Sequence, residues 1–178
     1  DNYRRLLADP EFQHASWTTL VFTVGGCGSS VLTALVLAGL ADRPIRGKRL
    51  IANLLIWPLA MAPAVLGVVL KLFANPVVGP LSFLNLVWPG LWHPGKDGTD
   101  ALLLVTVAFA WTILPFNFVI LLAGLQSVPL TYLQAAALDG AGPIRRFIDI
   151  QVPMIAPFLF FAVVMKTIEA ITGPLGLI

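Results

Sequence analysis

The chain has 178 residues, 58% of them hydrophobic and only 11% charged, with a mean hydropathy of +0.88. Soluble domains carry about 25% charged residues, and a chain this small has too little interior to hide so much apolar surface, so lipid is the solvent it requires. Its net charge of +2 comes from scattered basic residues at the ends of apolar segments, not from a phosphate-tracking stripe, which excludes nucleic acid as a partner.

In chain order, Asp1 to Phe12 is polar and lacks the basic-then-apolar layout of a signal peptide. A crossing helix needs about 20 mostly apolar residues to span roughly 30 Å of hydrocarbon. Four segments qualify: Trp17 to Leu40, Leu50 to Phe73, Ala101 to Leu125, and Pro153 to Ile171. Trp17, Trp57, Trp88, Trp92 and Trp111 are expected near span ends, as interfacial aromatics. The connection Ala41 to Arg49 is short and basic, with Arg43, Arg46, Lys48 and Arg49 against Asp42. Asn75 to Asp100 is rich in Pro and Gly, with Lys96 as its one basic residue, and Gln126 to Val152 carries Arg145 and Arg146. Lys and Arg gather on the cytoplasmic side, which puts the first and third connections inside and the N-terminus and middle loop outside. The expected fold is all-α, a polytopic membrane helical bundle forming one transmembrane domain over residues 1–178. Both ends read as cut, since there is no initiator Met and the sequence stops in apolar Gly173 to Ile178.

Little in the spans offers chemistry. Cys27 is the one cysteine, so no intrachain disulfide is expected. His14 and His93 stand apart from other ligand types, and no metal-ligand spacing, P-loop, nucleophile elbow or dinucleotide fingerprint occurs. No cofactor is expected, and any ATP used must be hydrolysed by another chain. Polar residues within spans mark a solute path or a helix contact: Asn53, Asn117, Lys166 and Glu169. Lys166 and Glu169 are three apart and share a helix face. Lys166 either attracts an anionic cargo, or pairs with Glu169 or snorkels to the surface. Pro58, Pro63 and Pro115 either kink spans beside a path or are simply accommodated in packing.

The stretch Pro129 to Pro157, PLTYLQAAALDGAGPIRRFIDIQVPMIAP, reads as two short helices and a hinge. Thr131 and Gln134 have capping-box spacing, and the alanines 135–137 favour helix. Gly140 falls where a left-handed C-terminal residue is needed, and Pro143 opens the next helix. There Ile144, Phe147 and Ile148 share one face, with Arg145, Arg146 and Asp149 opposite, and Pro153 marks the change to the fourth span. This pair either lies in the lipid headgroups or docks a cytoplasmic protein.

The loop resembles the EAA loop of ATP-binding-cassette importer permeases: Glu-Ala-Ala, three residues, Gly, nine residues, Ile-x-Leu-Pro. Here the same spacing carries Gln134-Ala135-Ala136, Gly140 and Ile150-Gln151-Val152-Pro153, with Gln134 replacing the glutamate and Val152 the leucine. Trp57-Pro58, Ala62 to Val65 and Phe73 to Pro76 are similar to carbohydrate-type permeases, and AAALDGAGPIRRF (135–147) to the glycerol-3-phosphate branch. The resemblance implies a transport subunit rather than an enzyme, in the bacterial inner membrane, holding the four central spans of a probable six. It also implies three kinds of partner: a second homologous permease, a cytoplasmic ATPase dimer and an extracytoplasmic solute-binding protein. Gln134, Ala135, Ala136, Asp139, Gly140, Arg145, Ile150 and Pro153 would form the ATPase-coupling surface. Asn117, Lys166 and Glu169 would line the path of glycerol-3-phosphate, a glycerophosphodiester or a sugar. An ion-gradient-driven secondary transporter or channel is the alternative, and it would need ionisable residues at mid-span.

Overall fold

The computed structural model describes residues 2–42, 63–87, 90 and 92–172. A short helix α1 (Asn2–Ala8) leads into α2 (Pro10–Ala41). The start of α2 is fixed locally: Asp9 is the N-cap, its Oδ1 accepts from the Glu11 amide at 3.0 Å, and Pro10 occupies the first turn. The helix therefore begins seven residues before Trp17, where the expected first span starts, and its 32 residues reach about 48 Å.

Of the expected second span, the part up to residue 62, with Asn53, Trp57 and Pro58, lies outside the described residues, as do Arg43, Arg46, Lys48, Arg49 and Trp88. Its described remainder is α3 (Pro63–Phe73). The expected loop after it is a built cap. Asn75 Oδ1 accepts from the Val77 and Val78 amides, and a 3-10 turn (Pro80–Ser82) runs into α4 (Phe83–Val87). Asn85 bonds both the amide and the carbonyl of Trp92, whose Nε1–H donates to the Ala74 carbonyl at 3.0 Å. Trp92 is thus a buried anchor of the cap, not an interfacial aromatic.

Helix α5 (Gly98–Ser127) is capped by Asp97 and runs unbroken through Pro115, which is fully buried in packing. Trp111 lies near the middle of α5, away from the span end where it was expected. Beyond α5 come α6 (Leu130–Leu138), α7 (Pro143–Arg146), a π-turn (Phe147–Gln151), α8 (Val152–Met154) and α9 (Ala156–Thr172). The chain bends by 66° between the segment Pro143–Met154 and α9, at Ile155. The helix α9, within the expected fourth span, therefore starts past Pro153. Pro157 lacks the amide that would bond the Pro153 carbonyl, and its ring would crowd that carbonyl in a continuous helix.

Packing follows small residues. One face of α2 buries Thr23, Gly26, Cys27, Ser30, Val31, Ala34, Ala38 and Ala41, spaced three and four apart. Small side chains let helices approach where lipid supplies no hydrophobic drive between them. Onto this stripe α5 sets Phe109, Ile113, Asn117, Phe118, Leu121 and Leu125. A Cβ on Gly26 would fall 2.8 Å from the Phe109 ring, and one on Gly124 would fall 2.9 Å from Phe158 of α9. Pairings ascend together along α2 and α5: Gly25 with Thr106, Gly26 with Phe109, and Ser30 with Asn117. Those two helices are parallel. Phe158 packs on Gly124 whereas Ala170 clusters with Cys27, Phe109 and Ile113, so α9 runs antiparallel to both. The outward faces carry Leu32, Val36, Val105, Phe160 and Ile171, all well exposed.

Candidate coupling site

The corner between α6 and α7 is built by backbone chemistry. Helix α6 begins after Pro129, the N-cap residue, which offers no side-chain cap. Thr131 is therefore already inside the first turn, and the expected capping box does not form. At the other end Gly140 has φ +80°, the left-handed region. Its amide donates to the Ala137 carbonyl at 3.1 Å and the Ala141 amide to Ala136 at 2.9 Å. That bond pair is the Schellman motif. Pro143 follows at the first position of α7, with Gly142 extended before it.

This corner leaves much of its surface uncovered. Gln134, Ala135, Asp139 and Gly140 are exposed, Ala136 is half-buried, and Leu138 is 90% exposed at the helix end. Ile144 and Ile148 are also exposed, while Phe147, expected on the same face, turns inward against the bundle. Arg145 pairs with Asp149 at 3.3 Å on the surface. Arg146 departs from the expected polar face: it is half-buried, and its guanidinium donates to the Leu133 carbonyl at 3.3 Å, tying α7 back to α6. Asp139, Ala136, Arg145, Arg146, Asp149 and Ile150 surround a shallow concavity of about 200 Å3. Pro153 lies exposed in α8. Of the expected coupling residues, Ala136, Asp139, Arg145 and Ile150 line this concavity.

The expected path residues lie elsewhere, among the spans. Asn117 is fully buried, and its Nδ2 donates to Ser30 Oγ at 3.0 Å, joining α5 to α2. Its Oδ1 has no partner among the described residues. Lys166 is ten residues into α9, about 15 Å from the bend at 1.5 Å per residue. Its Nζ meets Glu169 Oε2 at 2.6 Å and stands 4.0 Å above the Phe116 ring of α5. An ammonium at mid-span is thereby held by a carboxylate and an aromatic face.

A family model described as "Binding-protein-dependent transport system inner membrane component" matches residues 30–177. The chain belongs to this family of inner membrane transport components. Among its relatives, the sn-glycerol-3-phosphate transport system permease protein UgpA of Brucella abortus is 41% identical over 177 residues, covering 99% of this chain and 60% of that protein. The protein of the same name from Pectobacterium atrosepticum is 39% identical, covering 96% of this chain and 58% of the relative. The chain thus spans about three-fifths of the length of these family members. In fold it is similar to a chain of a bacterial alginate ABC transporter, solved with an alginate pentasaccharide-bound periplasmic protein. That match has a TM-score of 0.80 at 16% identity, over 95% of this chain and 61% of the other. A second alginate importer structure matches with a TM-score of 0.74 at 18% identity, over 96% and 60%.

Sequence reasoning missed the residues that fasten the corner to the bundle. These are Phe147, whose ring lies against Gly39, and Gln151, whose Nε2 donates to Asp42 Oδ2 at 3.2 Å. The hydrogen-bonded pair is 109 residues apart. Only the apolar identity of Phe147 carried any signal.

Proposed function

We propose that the chain is the membrane-spanning permease subunit of an ATP-binding-cassette importer, and that its α6–α7 corner is the surface gripped by a separate ATPase. The observation that carries this reading is an alanine-rich helix, ended by a left-handed glycine, that leaves Leu138, Ile144 and Ile148 uncovered beyond the spans. Apolar side chains left uncovered on an otherwise polar corner fit a protein partner. Gln134 stands in for the usual glutamate and offers neutral rather than charge-assisted hydrogen bonds. Asp139, Gly140, Arg145 and Ile150 complete the docking surface, with Ala135 and Ala136 allowing close approach.

In this reading the basic 41–49 connection and the corner face the cytoplasm, and the N-terminus and the 75–100 cap face outside. The parallel course of α2 and α5 agrees: the chain between them must recross the bilayer, as the expected span Leu50 to Phe73 would do. Cargo would pass between this subunit and a homologous permease, delivered by an extracytoplasmic binding protein. The names of its relatives favour sn-glycerol-3-phosphate over other small polar solutes. The mutual neutralisation of Lys166 and Glu169 weighs against an ion-driven cycle built on them. The test is reconstitution of the full-length subunit with its partner permease, ATPase and binding protein. ATP hydrolysis stimulated by loaded binding protein, with uptake, supports the proposal; accumulation unchanged after deletion of residues 134–140 sinks it.

A further inference from the structure

We infer that Phe147 and Gln151 are positioning residues that fasten the corner to the end of α2, so that α2 moves with the corner as one body. The claim rests on the coupling role proposed above. Three contacts recur at four-residue spacing along one side of the segment. The Phe147 ring occupies the space over Gly39, where a Cβ would fall 2.7 and 2.9 Å from ring atoms. Gln151, only 8% exposed, donates to Asp42 just past the end of α2 at 3.2 Å. Ile155, fully buried, packs into the cluster of Ala34, Ala38 and Ala41.

The π-turn has a local cause that also serves this fastening. Pro153 has no amide for the Asp149 carbonyl, and a normal turn would press its ring on that carbonyl. Widening over Phe147–Gln151, with the Val152 amide reaching back to the Phe147 carbonyl, relieves the clash. On the other side of this block the helix is interrupted before α9, with the Ile155 carbonyl accepting from the Phe158 and Leu159 amides. The chain bends 66° at Ile155, and Pro157 supplies no amide across the break. A push on the corner therefore reaches the bundle through α2 rigidly and through α9 across a hinge.

Two experiments on the complete transporter test this. In the first, uptake of sn-glycerol-3-phosphate per ATP hydrolysed is measured in vesicles. Gln151→Glu sets a carboxylate against Asp42 and should lower that ratio at least about fivefold, and Asp42→Asn in the same chain should restore it by exchanging donor and acceptor. Gly39→Ala should likewise uncouple, with rescue by Phe147→Leu. The second needs no transport and leaves Gly39, Asp42, Phe147 and Gln151 unaltered. In a Cys27→Ser chain, spin labels at Leu40 and Ile148 should keep one separation between nucleotide-free and ATP-bound states, while Ile148 to Phe160 changes. A changing 40–148 separation, or wild-type coupling in Gln151→Glu, overturns the fastening. Gly140→Val, run alongside, separates the two claims: if it uncouples while Gln151→Glu and Gly39→Ala do not, only the fastening is wrong. If all three stay coupled, the coupling role itself fails.

Discussion

Replacing Gly140 isolates a backbone effect from a steric one. The residue has φ +80°, and a Cβ built on it meets nothing within 4 Å. Any side chain fits in space; what it cannot do cheaply is hold the left-handed conformation. That costs an ordinary residue roughly 1–2 kcal/mol, with Asn the best tolerated. A β-branched residue lies at the upper end. At 1.4 kcal/mol per factor of ten, the intact corner loses about 5- to 30-fold in population against a frayed one. The Schellman bonds of the Gly140 and Ala141 amides, 3.1 and 2.9 Å long, are the reporters. Amide hydrogen exchange over residues 136–142 in the purified subunit should rank Gly140→Asn mildest, then Gly140→Leu, then Gly140→Val. Uptake per ATP in the assembled transporter should fall in the same order. Because Leu is larger than Val but unbranched at Cβ, a loss greater for Leu than for Val would mean that volume, not backbone conformation, governs the corner.

Three further outcomes follow from named contacts. Asn117→Ala and Ser30→Ala should each lower thermal stability by about 0.6 kcal/mol, at most roughly 1.7, and the double variant by no more than the larger single. Glu169→Gln should destabilise more than the paired change Lys166→Met with Glu169→Leu, since only the former strands an ammonium at mid-span. If the paired variant reaches the membrane at normal levels and still accumulates anionic cargo, as does Lys166→Arg, the pair is structural; lost uptake would assign Lys166 to the path. Trp92→Phe removes the donor to the buried Ala74 carbonyl and should loosen the 74–100 cap by about 1–3 kcal/mol, read as faster proteolysis within it, with α2 and α5 unaffected.

What the sequence made legible was what local chemistry decides. Ala101 to Leu125 emerges as α5 because an apolar run of that length in lipid satisfies its backbone only as a helix. The glycine corner and the proline after it were legible because left-handed geometry and a missing amide are properties of single residues. The start of α2 was readable but overlooked: Asp9-Pro10-Glu11 is a cap, a first-turn proline and an acidic first turn. At Thr131 spacing misled, since Pro129 already fixes the extended residue before the helix. Pro153 and Pro157 both suit a break, and the second lies in the first turn of α9, just past it. Helical spacing brought Lys166 to Glu169, but nothing local announces Phe116 beneath the ammonium. Gln151 with Asp42, and Phe147 with Gly39, join distant segments through specific side-chain placement. Such contacts appear only once the helices are packed.

If a separate ATPase holds the α6–α7 corner, the two can be cross-linked there. In a Cys27→Ser background, Asp139→Cys presents a thiol at an exposed position of the corner, and Tyr3→Cys presents one on α1, also exposed. A short thiol-to-amine cross-linker applied to the assembled transporter should join the ATPase subunit to position 139 and not to position 3. Equal labelling at both positions, or none at 139 in a complex that hydrolyses ATP, would mean that the ATPase docks elsewhere.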